Sequence, residues 1–406
     1  MNDSKIINDP VFGFIKIKRG LLLQIVQHPL MQRLTRIKQL GLASVVYPAA
    51  QHTRFQHSIG ALHLMTEALR GLREKGIYIF DTEAEGAEAA ILLHDIGHGP
   101  FSHVLEHTLL GGMGHEDISL MMMSHMNEEM GGALSYALKI FRDEYPKRFL
   151  HELVSSQLDV DRLDYLRRDS FFTGVHEGNI GSARIIKMLD VADDQLVVNS
   201  KGIYSIENYL TSRRLMYWQV YLHKTAVACE KVLVNALLRA KWLVANGKEL
   251  FASPSLRYFL EHDVDKHLFD RDEQALHCYS MLDDNDIWCA MKVWTESDDR
   301  ILRLLARDLT ERNIFRVEVS EEPVSEERID ELQTMIAQQA GIDKKDAHYL
   351  MEVTAIEKDM YSVNDDRIGI LYKDGTIKDI AECSEILNIG LLSKKIRKYY
   401  LCYQRF

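Results

Sequence analysis

Apolar residues recur every three or four positions through much of the first 315 residues, a spacing that predicts helices with one buried stripe each. In HSIGALHLMTEALRGLREKG, residues 57–76, the stripe is Ile59, Leu62, Met65, Leu69 and Leu72, and Gly76 fits the stop. A second helix is expected over 84–95. Gly97, Gly99 and Pro100 break it, because glycine is a weak helix former and the residue before a proline avoids helical backbone. A third restarts near Ser102, a suitable cap. In QLDVDRLDYLRRD, Val160 and Leu163 share one face while Asp161, Tyr165 and Asp169 line another at i, i+4 and i+8. Residues 195–206 alternate on both sides of Asn199-Ser200-Lys201-Gly202 and predict a hairpin; residues 207–247 predict one long helix.

The pattern changes after Phe315, where FRVEVS, HYLMEVTAI, RIGILYKDGTIKDI and IRKYYLCY predict strands, with a helix over 327–341 between the first two. The predicted fold class is therefore mainly α: a helical core with a small β-hairpin over 1–315, then an α+β subdomain over 316–406. Within the core, 1–45 is an N-terminal segment, 46–170 holds the candidate chemistry and 171–315 supplies further helices. The acidic run EEPVSEERIDE fits a solvated linker and helix start.

Composition narrows the picture. At 406 residues, 46% hydrophobic and 27% charged, the chain has the make-up of a soluble globular protein, and no apolar run approaches the ~18 residues of a membrane span. With no signal-peptide layout at the start, a cytoplasmic location is expected. Cys229, Cys278, Cys289, Cys383 and Cys402 form no CxxC pair and read as reduced packing residues. The net charge of −11 argues against a nucleic-acid coat. Residues 1–40, however, carry seven Lys or Arg against Asp3 and Asp9, so an anionic ligand could be received there.

The candidate chemistry lies in LLHDIGHGPFSH. His94 and Asp95 end an apolar helix, and since neighbouring helical side chains diverge by about 100°, other segments must complete any shell around one ion. His57, on a face otherwise apolar at Ala61 and Leu64, and Asp161 are the candidates. A lone histidine on such a face is more often a core residue, but aspartates are almost never buried unpaired, so the joint set calls for a cation. Its mixed nitrogen and oxygen donors suit Mn, Fe, Zn or Mg.

The order H…HD…D, within HTRFQHS, LLHDIGHGPFSH and LDVDRLDYLRRD, resembles the HD-domain superfamily of metal-dependent phosphohydrolases. It is most similar to the deoxynucleoside triphosphate triphosphohydrolase branch, which includes bacterial dGTPase-type enzymes and the vertebrate enzyme joining a sterile alpha motif to an HD domain. INDPVFG, MQRLTRIKQLG, VYPAAQHTRFQHS, VYLHK and RNIF extend the resemblance over about three quarters of the chain. The resemblance implies that His57, His94, Asp95 and Asp161 bind a divalent metal and that Arg54 contacts phosphates. It places His98, His103 and a His115–Glu116 dyad around the scissile phosphate. Gln39, Leu40, Tyr165 and Asp169 fall on its sugar side, with Arg162, Arg213, Tyr221 and Lys224 at phosphate- or sugar-contacting positions. Asp164, off the polar stripe, is left as an ion-pair partner, and His107 as a structural residue.

The implied activity is hydrolysis of a dNTP substrate to deoxynucleoside and inorganic triphosphate by a homo-oligomer, dimer or tetramer. A nucleotide activator at an N-terminal site is also implied. Lys5 and Asn8 match part of that site, but Gln27 and Thr35 replace the acidic and arginine positions that read guanine, so a strict GTP requirement is not expected. Arg36, next to Thr35, is a candidate substitute. One other reading keeps the metal cage, a phosphodiesterase or phosphatase acting on another nucleotide or a nucleic-acid end; another, from a different class, is a nucleotide-binding regulator or scaffold that has lost turnover.

Overall fold

The computed structural model describes residues 4–101, 103–358, 361, 367–385 and 395–406, apart from the side chains of His103 and Lys358. Helices dominate, as the apolar spacing predicts. The chain opens with a hairpin the sequence reading did not anticipate, β1 (Ser4–Asp9) against β2 (Gly13–Lys18). Asp9 shapes its turn, one carboxylate oxygen accepting the backbone N–H groups of Val11 and Phe12 at 2.9 Å each.

The helix expected over 57–76 is α1, Arg54–Glu74. It starts earlier because Thr53 and Gln56 form a capping box, the Gln56 side chain accepting the Thr53 N–H at 2.8 Å. All five stripe residues are buried, and Gly76 follows at φ +90°, a left-handed stop. Next comes α2, Asp81–Leu93, which stops just before His94. The helix after the Gly-Pro break is α3, His103–Thr108, and its expected cap, Ser102, lies outside the described residues. Beyond it run α4 (His115–Glu129) and α5 (Val160–Thr173), the latter capped by the Asp159 carboxylate on the Arg162 N–H and ended by Gly174 at φ +75°.

Two local expectations need correction. The hairpin pairs β3 (Leu189–Ala192) with β4 (Gln195–Asn199), and its turn is Asp193-Asp194, both at positive φ, the backbone a two-residue turn needs. Asn199–Gly202 instead leads into the next helix, the Asn199 side chain accepting the Lys201 N–H. The long helix over 207–247 is two: α6 (Ile203–Met216), a π-helical stretch at Tyr217–Tyr221, and α7 (Lys224–Ala245) after a break at Leu222-His223. The wide turn inserts an extra residue, which no apolar spacing reports.

The C-terminal segment has the expected strands and helix: β5 (Arg316–Ser320), α8 (Glu326–Ala340), β6 (Met351–Lys358), β7 (Gly369–Leu371), β8 (Ile377–Asp379) and β9 (Ile396–Tyr403). They form two sheets, β5-β9-β6 and β3-β4-β7-β8. In the second, β7 runs parallel to β4, with Val198 opposite Ile370, so pairing bridges the boundary expected near residue 315. Cys229, Cys278 and Cys402 are buried, Cys383 is half-buried and Cys289 is exposed, so Cys289 is not the packing residue expected. Among the described residues no helix is long and apolar enough to cross a membrane.

α1 packs closely on α5 at Gly60. A Cβ added to Gly60 would lie 1.9 Å from Asp164 Oδ1 and 2.1 Å from Arg168 Nη2. Gly60→Ala must therefore break a fully buried ion pair. A stability loss of about 3–5 kcal/mol is expected in urea unfolding, and a loss below about 1 kcal/mol would show that this contact is not rigid.

Candidate metal centre and its surroundings

The His57 side chain, one turn into α1, is fully buried, and both of its ring nitrogens are engaged. Nδ1 lies 2.7 Å from Asp164 Oδ2, and Asp164 is held by Arg168 Nε and Nη2 at 2.9 and 3.0 Å. Arg168 Nη1 in turn reaches Asp9 in the N-terminal hairpin at 2.7 Å. Asp164, expected as an ion-pair partner, thus also orients His57. His94, just past α2, donates from Nδ1 to the Ile91 carbonyl at 2.6 Å; that oxygen can only accept, so the Nδ1 proton is fixed.

Both rings therefore turn Nε2 toward one point. The two Nε2 atoms are 3.2 Å apart, and Asp161 Oδ1 lies 3.1 Å from that of His57 and 3.4 Å from that of His94. Two imidazole lone pairs and a carboxylate oxygen cannot face each other without a positive charge among them. Burial opposes charge on His57, but its bonds to Asp161 and Asp164 outweigh this and raise its pKa from 6.5 to about 10. His94 is raised against burial by Asp95 and Asp161, and the two imidazoles hold Asp161 well below the usual carboxylate range.

The donor set fits a divalent ion. Through these contacts four carboxylates (Asp9, Asp95, Asp161, Asp164) meet two guanidiniums (Arg54, Arg168), leaving two negative charges, the charge of one such ion. Hydrogen bonds from Nδ1 to a carboxylate or carbonyl are also how metal-binding histidines are commonly oriented. His57, His94 and Asp161 form a group able to hold a metal. Asp95 is set slightly aside: its Oδ1 lies 3.3 Å from both His94 and His98 Nε2, while Oδ2 accepts Arg54 Nη1 at 2.6 Å.

A second cluster borders the first. The His98 and His115 rings stack at 3.8 Å between centroids and 13° between planes. The expected His115–Glu116 dyad does not form through a described bond, because Glu116, the next residue along α4, is exposed. Glu106 of α3 instead faces His115, its Oε1 3.1 Å from Nδ1. Burial, then Arg54, pushes His98 down to about 3, so it is neutral at pH 7, whereas Glu106 and Asp95 raise His115 against burial. The side chain of His103, also expected here, lies outside the described residues.

Of the remaining candidates, Arg162, Tyr165 and Asp169 lie on α5, and Tyr221 packs against it. Tyr165 packs edge-on to Tyr221 at 6.0 Å, and the Tyr221 hydroxyl donates to Asp169 Oδ2 at 2.8 Å. Arg213 Nη1 donates to Gln157 at 2.9 Å, while its Nε is buried with no hydrogen-bond partner among the described residues. Arg162 donates from Nε to the Ser156 carbonyl and to Asp159. Gln39 is half-buried, its Oε1 buried without a hydrogen-bond partner among the described residues, and Leu40 follows it against the core. Lys224 is exposed at the start of α7 and no described contact joins it to this cluster. At the N-terminal site Lys5, Asn8, Gln27 and Thr35 are exposed, while Arg36, the candidate substitute, is taken by Asp283 at 2.5 Å.

Sequence reading missed Glu106, His52, Tyr217 and the role of Asp164 as a histidine partner. His52 lay in view within HTRFQHS, and Glu106 stands one helical turn past His103.

A helical core that aims two imidazoles and a carboxylate at one point, beside a stacked histidine pair, is the framework of a metal-centred helical hydrolase. An HD domain family model matches residues 54–169, and an HD-associated region model matches 180–252. The chain is 30% identical to the uncharacterized protein YwfO of Bacillus subtilis across its whole length and 93% of that protein. It is 31% identical to the deoxynucleoside triphosphate triphosphohydrolase SAMHD1 homolog of Dictyostelium discoideum over 58% of this chain; it spans about half of that relative, 49%. A crystal structure of a phosphohydrolase from Bacteroides thetaiotaomicron superposes with a TM-score of 0.97 and 65% identity, covering 99% of this chain and 100% of the other. The chain belongs to the HD-domain phosphohydrolases, as the motifs suggested.

If Asp164 orients His57, Asp164→Asn should weaken binding of a divalent metal about 10- to 100-fold. Titration calorimetry with Mn²⁺ on the metal-free protein would measure this. Unchanged affinity would remove Asp164 from the site.

Proposed function

We propose that the protein hydrolyses deoxynucleoside triphosphates at the α-phosphorus, releasing a deoxynucleoside and inorganic triphosphate. The observation that carries this reading is the single helix α5, on which the cation-site residue Asp161 and the Tyr165–Asp169 pair share one face. Positions 161 and 169 lie about 12 Å apart along the axis, room for a sugar and its α-phosphate. The triphosphohydrolase named among the relatives supports the same substrate class.

A divalent metal held by His57, His94, Asp95 and Asp161 would supply Lewis acidity for the phosphate and an activated water. Arg54, already 2.6 Å from Asp95, is placed to balance charge on the phosphate oxygens. Water adds to the α-phosphorus as the bond to the 5′-oxygen breaks, and that oxygen needs a proton. His115, kept protonated to higher pH by Glu106, is the assigned donor. His98, neutral, keeps one ring N–H to donate to a phosphate oxygen. On the sugar side Tyr165, Tyr221 and Asp169 are assigned to the ribose ring and its hydroxyl, with Gln39 and Leu40 opposite; Arg162 and Arg213 supply positive charge.

Two outcomes test this. Purified protein with each dNTP and Mn²⁺ or Mg²⁺ should yield deoxynucleoside and triphosphate by chromatography. Monophosphate with pyrophosphate would refute the bond choice, and turnover of bis-p-nitrophenyl phosphate alone would refute the substrate class. Second, a proton donor works below its pKa, so the wild-type rate should fall as pH rises through that of His115. Glu106→Gln, which removes the group raising it, should move this fall to lower pH and reduce kcat about 100-fold. An unmoved pH limb would take His115 out of the donor role.

A further inference from the structure

His52 has none of the roles assigned above, yet it is engaged on three sides. Its side chain is fully buried, and Nε2 lies 2.7 Å from Asp169 Oδ1. The ring stacks on Phe172 with centroids 4.5 Å apart and planes 16° apart. Its backbone carbonyl accepts the Gln39 N–H at 3.0 Å, next to a bridge pairing Lys38 with Thr53. One residue therefore ties together the two walls of the sugar end: the Gln39 segment, and the Asp169 carboxylate whose second oxygen accepts Tyr221.

The remaining polar atom of His52, Nδ1, is buried with no partner among the described residues. Such atoms are rare in native interiors and call for an explanation. Here the ring is oriented by its bond to Asp169 and by the stack, not by a fully satisfied network. A carboxylate offers about four acceptor directions; His52 and Tyr221 use one each. Pinned at both oxygens, Asp169 cannot rotate, so its unused directions and the Tyr221 oxygen are fixed acceptors for a ligand hydroxyl.

We propose that His52 is a positioning residue for recognition of the substrate's 3′-hydroxyl: it locks Asp169, and through it Tyr221, in the orientation that accepts that hydroxyl. The inference rests on the deoxynucleoside triphosphate reading above. A site built to bond a hydroxyl rejects an analogue lacking it far more strongly than an apolar pocket does. His52 is thus assigned to specificity, acting through Asp169.

The test compares kcat/KM for a dNTP and its 2′,3′-dideoxy counterpart in the full chain with Mn²⁺, for wild type, His52→Ala, His52→Phe and His52→Gln, with melting curves for each. Wild type should prefer the dNTP by about 10-fold or more. His52→Phe keeps the ring stack without the bond, so it carries the test should His52→Ala fail to fold. Both should lose about 10- to 100-fold on the dNTP while changing less than about threefold on the dideoxy substrate. The preference then collapses. His52→Gln, whose amide can still donate to Asp169, should restore part of it. Equal losses on both substrates, or an unchanged preference, would overturn the role of His52. Absence of dNTP turnover by wild type would instead refute the substrate reading on which it rests.

Discussion

The structure turns on one buried ionic chain, from Asp9 through Arg168 and Asp164 to His57. Each link is nearly or fully buried, so each charge depends on the next for compensation. The chain fixes the side on which His57 carries its proton, and therefore which nitrogen it offers to a cation. It also ties the N-terminal hairpin to the centre of α1 and α5. Gly60 is the steric condition for this arrangement, because any side chain there would occupy the space of the Asp164 carboxylate. Such a pair is weak evidence of added stability, since its desolvation cost is large. Its value lies in orientation: two imidazoles converge on one oxygen only because each has its other nitrogen committed.

The helices and the residues that converge at the candidate metal centre were legible in the sequence because both are written in local patterns. His94 and Asp95 are adjacent, His57 sits inside a conspicuous polar string, and Asp161 opens a stripe with helical spacing. Other features depend on contacts distant in sequence. The partner of His115 is Glu106 because α3 and α4 meet side by side, whereas Glu116 leaves the helix about 100° away from His115. The pairing of β7 with β4 joins residues more than 160 positions apart and has no local signal. The hairpin turn was misplaced because Asn-Ser-Lys-Gly is the stronger turn sequence by composition, while Asp193-Asp194 tolerates positive φ through aspartate's short polar side chain. The break after Tyr221 escaped the reading because the run from Tyr209 to Leu243 is apolar on several faces, so the one-residue offset of a π-helical turn leaves no gap in it.

That π stretch has a functional consequence. Tyr217 and Tyr221 stand at 5.4 Å, edge to face, and Tyr221 also meets Tyr165 and Asp169 of α5. An uninterrupted α-helix would carry the following residues past α5 on a different face; the extra residue aims the tyrosines inward. Bracing from the far side comes from Arg33, which is fully buried, donates to the Ile96 and Leu282 carbonyls and lies over the Tyr279 ring. The Tyr279 hydroxyl donates to the Gly97 carbonyl at 2.8 Å. The loop after His94 is thus held by side chains from before and well after it in sequence, which explains how a glycine-rich turn can present His98 in a fixed position.

The stacked pair His98 and His115 shows how one cluster shifts the same side chain in opposite directions. Both rings are close to Arg54 and both lose solvation. Among the described residues His98 faces the Asp95 carboxylate, already shared with Arg54, and is pushed down to about 3; His115 has a carboxylate of its own in Glu106 and is raised. Opposite shifts in adjacent groups separate a neutral imidazole from one that holds its proton to higher pH. Two protonated imidazoles stacked at 3.8 Å would repel. The lowering of His98 thus spares His115 that repulsion, and Glu106 is the partner that favours the charged form of His115 over that of its neighbour.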